Sequence, residues 1–536
     1  MTRARTDTET PIERDDASDR PRLAWSTAVF SLATGLSRVL GLVREIVARR
    51  YFGVDGPGIN AFTVAFQIPN LVRALVADAA LSSAFVPVFS ELLDKGDRKR
   101  AWRVASSLFW LLLLGLGALT ALFVLVAPLL IRPFDVQDEA LAVTLSRILF
   151  PIVALLGVSG IVVGILNSYD HFSVPALTPV FWNIAIIVGL VIGVPRADGE
   201  VAELYVYAGS ILVGTVIQVL LPVPWLRGRD DRLRVAIDWR DPAVRRVFVL
   251  MGPVTLGLGL INFNQVIGTL FAARLIDRNL APAAIDAAFR IYMLPQGMFS
   301  VAIATVLFPS LARFAARADL VEFRRTVATG IRQIAFLLVP ASVAAAVLAE
   351  PIVRLLYQRG DFDPEETPVV AAALAAFSLG LTFNGMMLML NRGFFSLQQP
   401  WTPTAVALGN LALNTVLYAA FYRLGIWGIP LAISVANVAG AGALLVLLRR
   451  RIERIDFADT ARAVLRIVAA SAGLAAVAYP TWLALDGVLG RSFPAQLGSV
   501  GAALAAGLAV YAISCRLLGV RELDALLSLR ARLARR

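Results

Sequence analysis

The stretches "AFVPVFSELLDKGDRKRAWRVASS" (84–107) and "VLFPSLARFAARADLVEFRRTVATG" (306–330) are two copies of one pattern. In each, an apolar segment ends on Phe-x-Pro or Phe-Pro, passes into a basic loop and leads to the next apolar segment. Pro87 then matches Pro309, Pro128 matches Pro351, Asn167 matches Asn391 and Pro179 matches Pro403, at a nearly constant offset. Six helices fit into that offset. An even number returns the chain to the same side, so the two halves share one orientation about an axis along the membrane normal. The pattern predicts two six-helix lobes with a cleft between them.

Composition makes those helices membrane spans. Of 536 residues, 58% are hydrophobic and only 16% are charged, and the mean hydropathy is +0.73. Apolar runs of about 20 residues recur from end to end, which no ordinary soluble domain shows. A transmembrane barrel would instead alternate in ten-residue segments. The expected fold is an all-α polytopic membrane protein of about fourteen transmembrane helices. Residues 1–22 are read as a disordered tail, 23–226 as the first lobe and 227–449 as the second. Two added helices follow over 450–520, with a basic tail over 521–536.

Charge gives the orientation. The net charge is +12, and the basic residues gather in the N-terminal tail, the even-numbered loops and the C-terminal tail. The loops "DKGDRKRAWR" (94–103), "RGRDDRLRVAIDWRDPAVRR" (227–246) and "RRRIERIDFADTARAVLR" (449–466) are the richest. The positive-inside rule then puts both termini in the cytoplasm. It also accounts for the basicity without nucleic acid. Cys515 and His171 each stand alone in the sequence, so no intrachain disulfide, zinc site, metal or cofactor is expected.

Four arginines lie inside otherwise apolar stretches: Arg38, Arg44, Arg73 and Arg290. Each costs about 2.5–3.5 kcal/mol at a helix centre on insertion scales. Residues so expensive face a watery cavity and hold something negative. Arg38 and Arg44 sit in "SRVLGLVREIVARRYFG" (37–53), about 120° apart around a helix. Gly35 and Gly41 would permit a bend or a close backbone approach there, and Glu45 is a candidate partner for Arg38. In "AFTVAFQIPNLVRALVADAALSSAFVPVFSE" (61–91), Pro69 is expected to interrupt the helix beside Asn70 and Arg73. Asp78 lies poorly placed to pair with Arg73 and is read as a fold or gating residue. Arg290 sits in "AFRIYMLPQGMFSVAIATVLFPSL" (288–311), ahead of Pro295 and Gly297. Arg147 and Arg332 are read as interfacial anchors. Arginine offers a planar fork of donors that stays charged and suits phosphate. Intramembrane carboxylates are scarce beside these arginines, which argues against a proton- or sodium-driven exporter of cations.

These segments, with "FRIYMLPQG" and "ATVLFPSL", resemble the signature segments of the MurJ (MviN) lipid II flippases, over roughly residues 24–520. The resemblance implies a bacterial inner-membrane transporter and no enzymatic activity. Its cargo would be the undecaprenyl-pyrophosphate-linked peptidoglycan precursor, carried outward by alternating access. It implies that Arg38, Arg44, Arg73 and Arg290, with Asn70 beside them, bind the substrate. It also implies that the two added helices form a groove for the lipid tail, and that cell-wall synthesis proteins are candidate partners. The chain departs from the family at three places. An acid common in the second helix is Asn60, a glutamate three residues after the eighth-helix arginine is Met293, and the eleventh helix offers Asn410 and Asn414 where sodium-binding members carry acids. The alternatives are another lipid-linked oligosaccharide flippase or a drug exporter of the same superfamily, an intramembrane enzyme, and a non-transporting scaffold.

Overall fold

In the computed structural model, residues 16–76, 79–169, 171–452 and 457–523 are described. Among them the regular structure is helical throughout. The first half contains α1 (Asp16–Phe52), α2 (Pro57–Val76), α3 (Ala79–Asp94), α4 (Arg98–Ile131), α5 (Glu139–Leu149), α6 (Pro151–Ser168), α7 (Ser173–Val188) and α8 (Glu200–Leu220). The second contains α9 (Pro242–Phe271), α10 (Ala281–Pro295), α11 (Val301–Ala316), α12 (Leu320–Val347), α13 (Ala349–Tyr357), α14 (Glu366–Ser396), α15 (Trp401–Phe421) and α16 (Gly428–Ile452). α17 (Phe457–Leu489) and α18 (Phe493–Leu517) complete the chain. Eleven spans among the described residues are long and apolar enough to cross a membrane. The other three expected segments correspond to α1, to α2 with α3, and to α9. The first helix starts at Asp16, inside the stretch expected as a tail.

The repeat has a physical basis in the caps. Asp97 accepts a hydrogen bond from the Arg100 backbone N–H at the start of α4, and Asp319 accepts one from the Glu322 N–H at the start of α12. Each carboxylate satisfies a donor that the first turn leaves without a partner. Pro87 and Pro309 lie inside α3 and α11. Within each half the helices pack on one another, α1 on α7 and α4 on α6, α12 and α16 on α14. The halves meet where α2 and α3 lie against α9, and α2 against α10. α17 and α18 pair with each other and pack on α12 and α13 around Phe336, Leu348, Leu474 and Tyr511. The Tyr511 hydroxyl donates to the Phe336 carbonyl at 2.7 Å.

One local expectation is corrected. α2 runs through Pro69 to Val76 without a break. Proline removes the N–H that would bond the carbonyl four residues back. That carbonyl, of Ala65, takes the Ser146 hydroxyl of α5 instead, at 3.4 Å. α1 runs unbroken past Gly35 and Gly41, so of the two options these glycines permit it takes no break there. Gly41 faces Asn183, whose Oδ1 would stand 3.9 Å from an added methyl.

At the end of the bundle away from the basic loops, the halves are sewn together by backbone. Asn60 is fully buried. Its amide donates to the carbonyls of Val54 and Gly56 at 2.9 Å and to that of Asn279, and its Oδ1 accepts from Ala283 N–H at 2.9 Å. The Glu366 carboxylate accepts from the Val54, Asp55 and Asp363 N–H groups at 2.7–3.0 Å. Asp361 N–H donates to the Arg50 carbonyl.

Candidate functional site

Between the halves lies a cavity of about 430 Å3. α1 contributes Arg44, Glu45 and Arg49; α2 contributes Phe62, Pro69, Asn70 and Arg73; α7 contributes Trp182; α10 contributes Asp286 and Arg290. Helical spacing explains the clustering: Glu45 and Arg49, Asn70 and Arg73, and Asp286 and Arg290 are each three or four residues apart and share a face.

The expected residues are placed as follows. Arg44 donates to Asn183 Oδ1 at 3.1 Å and to Glu45 Oε1 at 2.7 Å, and its guanidinium lies 4.7 Å from the centre of the Trp182 ring. Arg73 donates to Asn70 Oδ1 from Nε at 3.2 Å and from Nη2 at 2.9 Å. Asn70 thus orients the guanidinium along the cavity wall. Asp78 lies outside the described residues. Arg290 pairs with Asp286 at 3.1 Å and reaches Glu45 across the two halves at 3.7 Å.

Arg38 is apart from this set. It does not line the cavity. It lies about two turns nearer the basic-loop end of α1 than Arg44, against the π-helical stretch Gln296–Ser300 between α10 and α11, where a methyl on Gly297 would meet its Nη1. The alternative bridge to Glu45 is not formed; that carboxylate pairs with Arg44 and Arg290. Arg147 donates to the Val124 carbonyl, and Arg332 pairs with Glu522 at 2.9 Å.

Two further residues complete the site. Arg49, only 4% exposed, pairs with Asp286 at 3.1 Å and donates to the Gly53 carbonyl at 3.3 Å. Asp286 stands between Arg49 and Arg290. The sequence carried a signal for it in the Asp286–Arg290 spacing, but Arg49 reads there as one of several arginines near a helix end. Four arginines and two carboxylates leave the lining with a net charge of two positive. In a medium of reduced dielectric such unequal charge favours a multivalent anion.

The family model described as "Lipid II flippase MurJ" matches residues 48–496. The chain belongs to the MurJ family. The lipid II flippase MurJ of Burkholderia cenocepacia is 32% identical over 429 residues, covering 78% of this chain and 82% of its own. A probable lipid II flippase MurJ of Rhizobium tropici is 31% identical over 501 residues, 91% of this chain and 92% of its own. Among solved structures, a lipid II flippase MurJ in an inward closed conformation matches with a TM-score of 0.76 at 24% identity, covering 92% of this chain and 99% of that one. An inward-facing multidrug MATE transporter of the MOP superfamily matches at 0.68 and 18% identity, over 78% and 94%. Both solved structures share the fold of this chain.

Proposed function

We propose that this member of the MurJ family is a lipid II flippase, moving the undecaprenyl-pyrophosphate-linked peptidoglycan precursor from the inner to the outer leaflet by alternating access. The observation that carries the reading is the cavity between the halves, where Arg44, Arg49, Arg73 and Arg290 converge with a net positive charge. A diphosphate presents several acceptor oxygens in the geometry that guanidinium forks bind best. Arg44, Arg73 and Arg290 would grip it, with Asn70 holding Arg73 in place. Arg38 would meet the anion on its way in from the basic-loop side. The lobes would be residues 23–226 and 227–449, with both termini cytoplasmic by the charge of the loops, and the sealed end around Asn60 and Glu366 would face outward. The hairpin over 450–520 would hold the polyprenyl tail. The substrate is a large amphiphile, and the cavity is the size of an ordinary small-molecule pocket. The lobes must therefore part to admit the sugar–peptide head.

The test is a lipid II translocation assay in cells depleted of the native protein. Arg73→Ala is expected to lower flipping at least tenfold at unchanged protein level, with lipid II accumulating on depletion. Unimpaired flipping by the variant would remove Arg73 from the mechanism. Accumulation of a different lipid-linked sugar would reassign the cargo.

A further inference from the structure

The Arg49–Asp286 pair bridges the two lobes, α1 to α10, at the cavity wall. Three facts about it stand together. Asp286 serves two guanidinium groups at once, Arg49 at 3.1 Å and Arg290 at 3.1 Å. Arg49 is almost fully buried, yet its Nε has no hydrogen-bond partner in the protein. Both side chains line the same cavity as Arg73 and Asn70. A buried donor without an acceptor is costly, and a buried charge needs its counter-charge. Arg49 is therefore held by one carboxylate and one backbone carbonyl, with capacity for a further acceptor. A phosphate supplies what Asp286 lacks, more oxygens and more charge, and can engage the whole fork.

We propose that Arg49 is a further anion-binding residue of the cavity, and that Asp286 is its built-in competitor, a carboxylate that keeps Arg49 and Arg290 paired until a phosphate takes them. The proposal rests on the flippase reading and extends it in two ways. It adds a cation that belongs to the first lobe and reaches the wall formed by the second. It also gives Asp286 a role in selectivity: a weakly charged anion gains little by displacing a carboxylate, whereas a diphosphate gains on both guanidinium groups. Arg49 also donates to the Gly53 carbonyl, in the loop sealed by Asn60 and Glu366. Occupancy of the cavity is thereby linked to that seal.

The test measures binding of undecaprenyl pyrophosphate to the full chain in lipid nanodiscs, with undecaprenol as the uncharged control. Arg49→Gln is expected to weaken undecaprenyl pyrophosphate about tenfold, the loss of one charge-assisted contact, and to leave undecaprenol unchanged. Asp286→Asn is expected to tighten undecaprenyl pyrophosphate several-fold, because the competitor is gone. A purely structural ion pair would make both variants weaker. Arg49→Lys, which keeps the charge and loses the fork, is expected to lie between wild type and Arg49→Gln and serves if the latter does not fold. Wild-type affinity in Arg49→Gln, or weaker binding by folded Asp286→Asn, would overturn the proposal. If wild type itself failed to prefer undecaprenyl pyrophosphate over undecaprenol, the flippase reading would fall instead.

Discussion

Asn60 gathers four backbone groups from two loops with one side-chain amide. The neutral amide suits this place, because three of its four partners are carbonyls that would repel a carboxylate. Asn60→Ala takes the acceptor from the Ala283 N–H and a donor from each of those carbonyls in a dry site, where the Asn279 carbonyl keeps another, the Gly56 N–H. The expected loss is about 1–3 kcal/mol, read as a lower Tm of the purified protein. Gly297 presents a different case. A methyl there meets only the far end of the flexible Arg38 side chain, which can swing away. Gly297→Ala is expected to leave Tm within the range of a neutral substitution while displacing Arg38. A loss of flipping at unchanged Tm would assign Arg38 a transport role, and unchanged flipping would deny it one. Three of the four cavity arginines, Arg44, Arg73 and Arg290, were legible from cost alone, since lipid-like surroundings leave few reasons to keep a charge; the same reasoning also picked Arg38, which lies outside the cavity, and passed over Arg49. Their partners were less so. Glu45 lies next to Arg44 in sequence, yet it also serves Arg290, 245 positions away, and no local spacing discloses a contact that only the closed lobes create.

At the scale of elements, the basic-loop end is held by ion pairs. Glu91, in the last turn of α3, binds Lys95 at 2.6 Å and Arg246 of α9 at 2.7 Å. Arg100 pairs with Asp241, the cap of α9. Hydrogen bonds from Lys95 and Arg246 hold the Glu91 carboxyl below its ordinary value of 4.5. A carboxylate with a depressed pKa contributes above its ordinary value and loses that contribution as pH falls through the depressed one. The α3–α9 distance, followed by spin labels at these helix ends, is therefore expected to stay constant down to about pH 5 and to lengthen only in more acid solution. Glu91→Gln should abolish that transition, and a transition that persists in it would exclude Glu91 as the cause. The helices themselves were readable from apolar runs and caps, and the Asp97 and Asp319 caps are the repeat made physical. The Pro69 break was not, because the rule that proline opens a helix says nothing of whether a neighbour, here Ser146, will satisfy the freed carbonyl.

For the whole molecule, the repeat predicted two lobes, and the structure adds what lies between them: a positive cavity closed at the end away from the basic loops by Asn60 and Glu366. Loop-to-loop closure of that kind depends on the relative placement of lobes far apart in sequence, which periodicity does not encode. The charge of the cavity has a mechanical consequence. Loaded with a diphosphate diester, the site is nearly neutral; emptied, it carries about two positive charges back from the outward to the inward state. An interior-negative potential of 100 mV favours that return by at most about 5 kcal/mol, if both charges cross the whole field. In proteoliposomes, dissipating such a potential with a potassium ionophore is expected to slow turnover of lipid II. Asp286→Asn raises the net charge of the empty cavity by one and should steepen the dependence, whereas Arg290→Gln lowers it by one and should flatten whatever activity remains. Equal turnover at zero and 100 mV would show that the empty cavity does not move its charge through the field. A steeper slope in Asp286→Asn and a shallower one in Arg290→Gln would show that the empty cavity's return sets the rate.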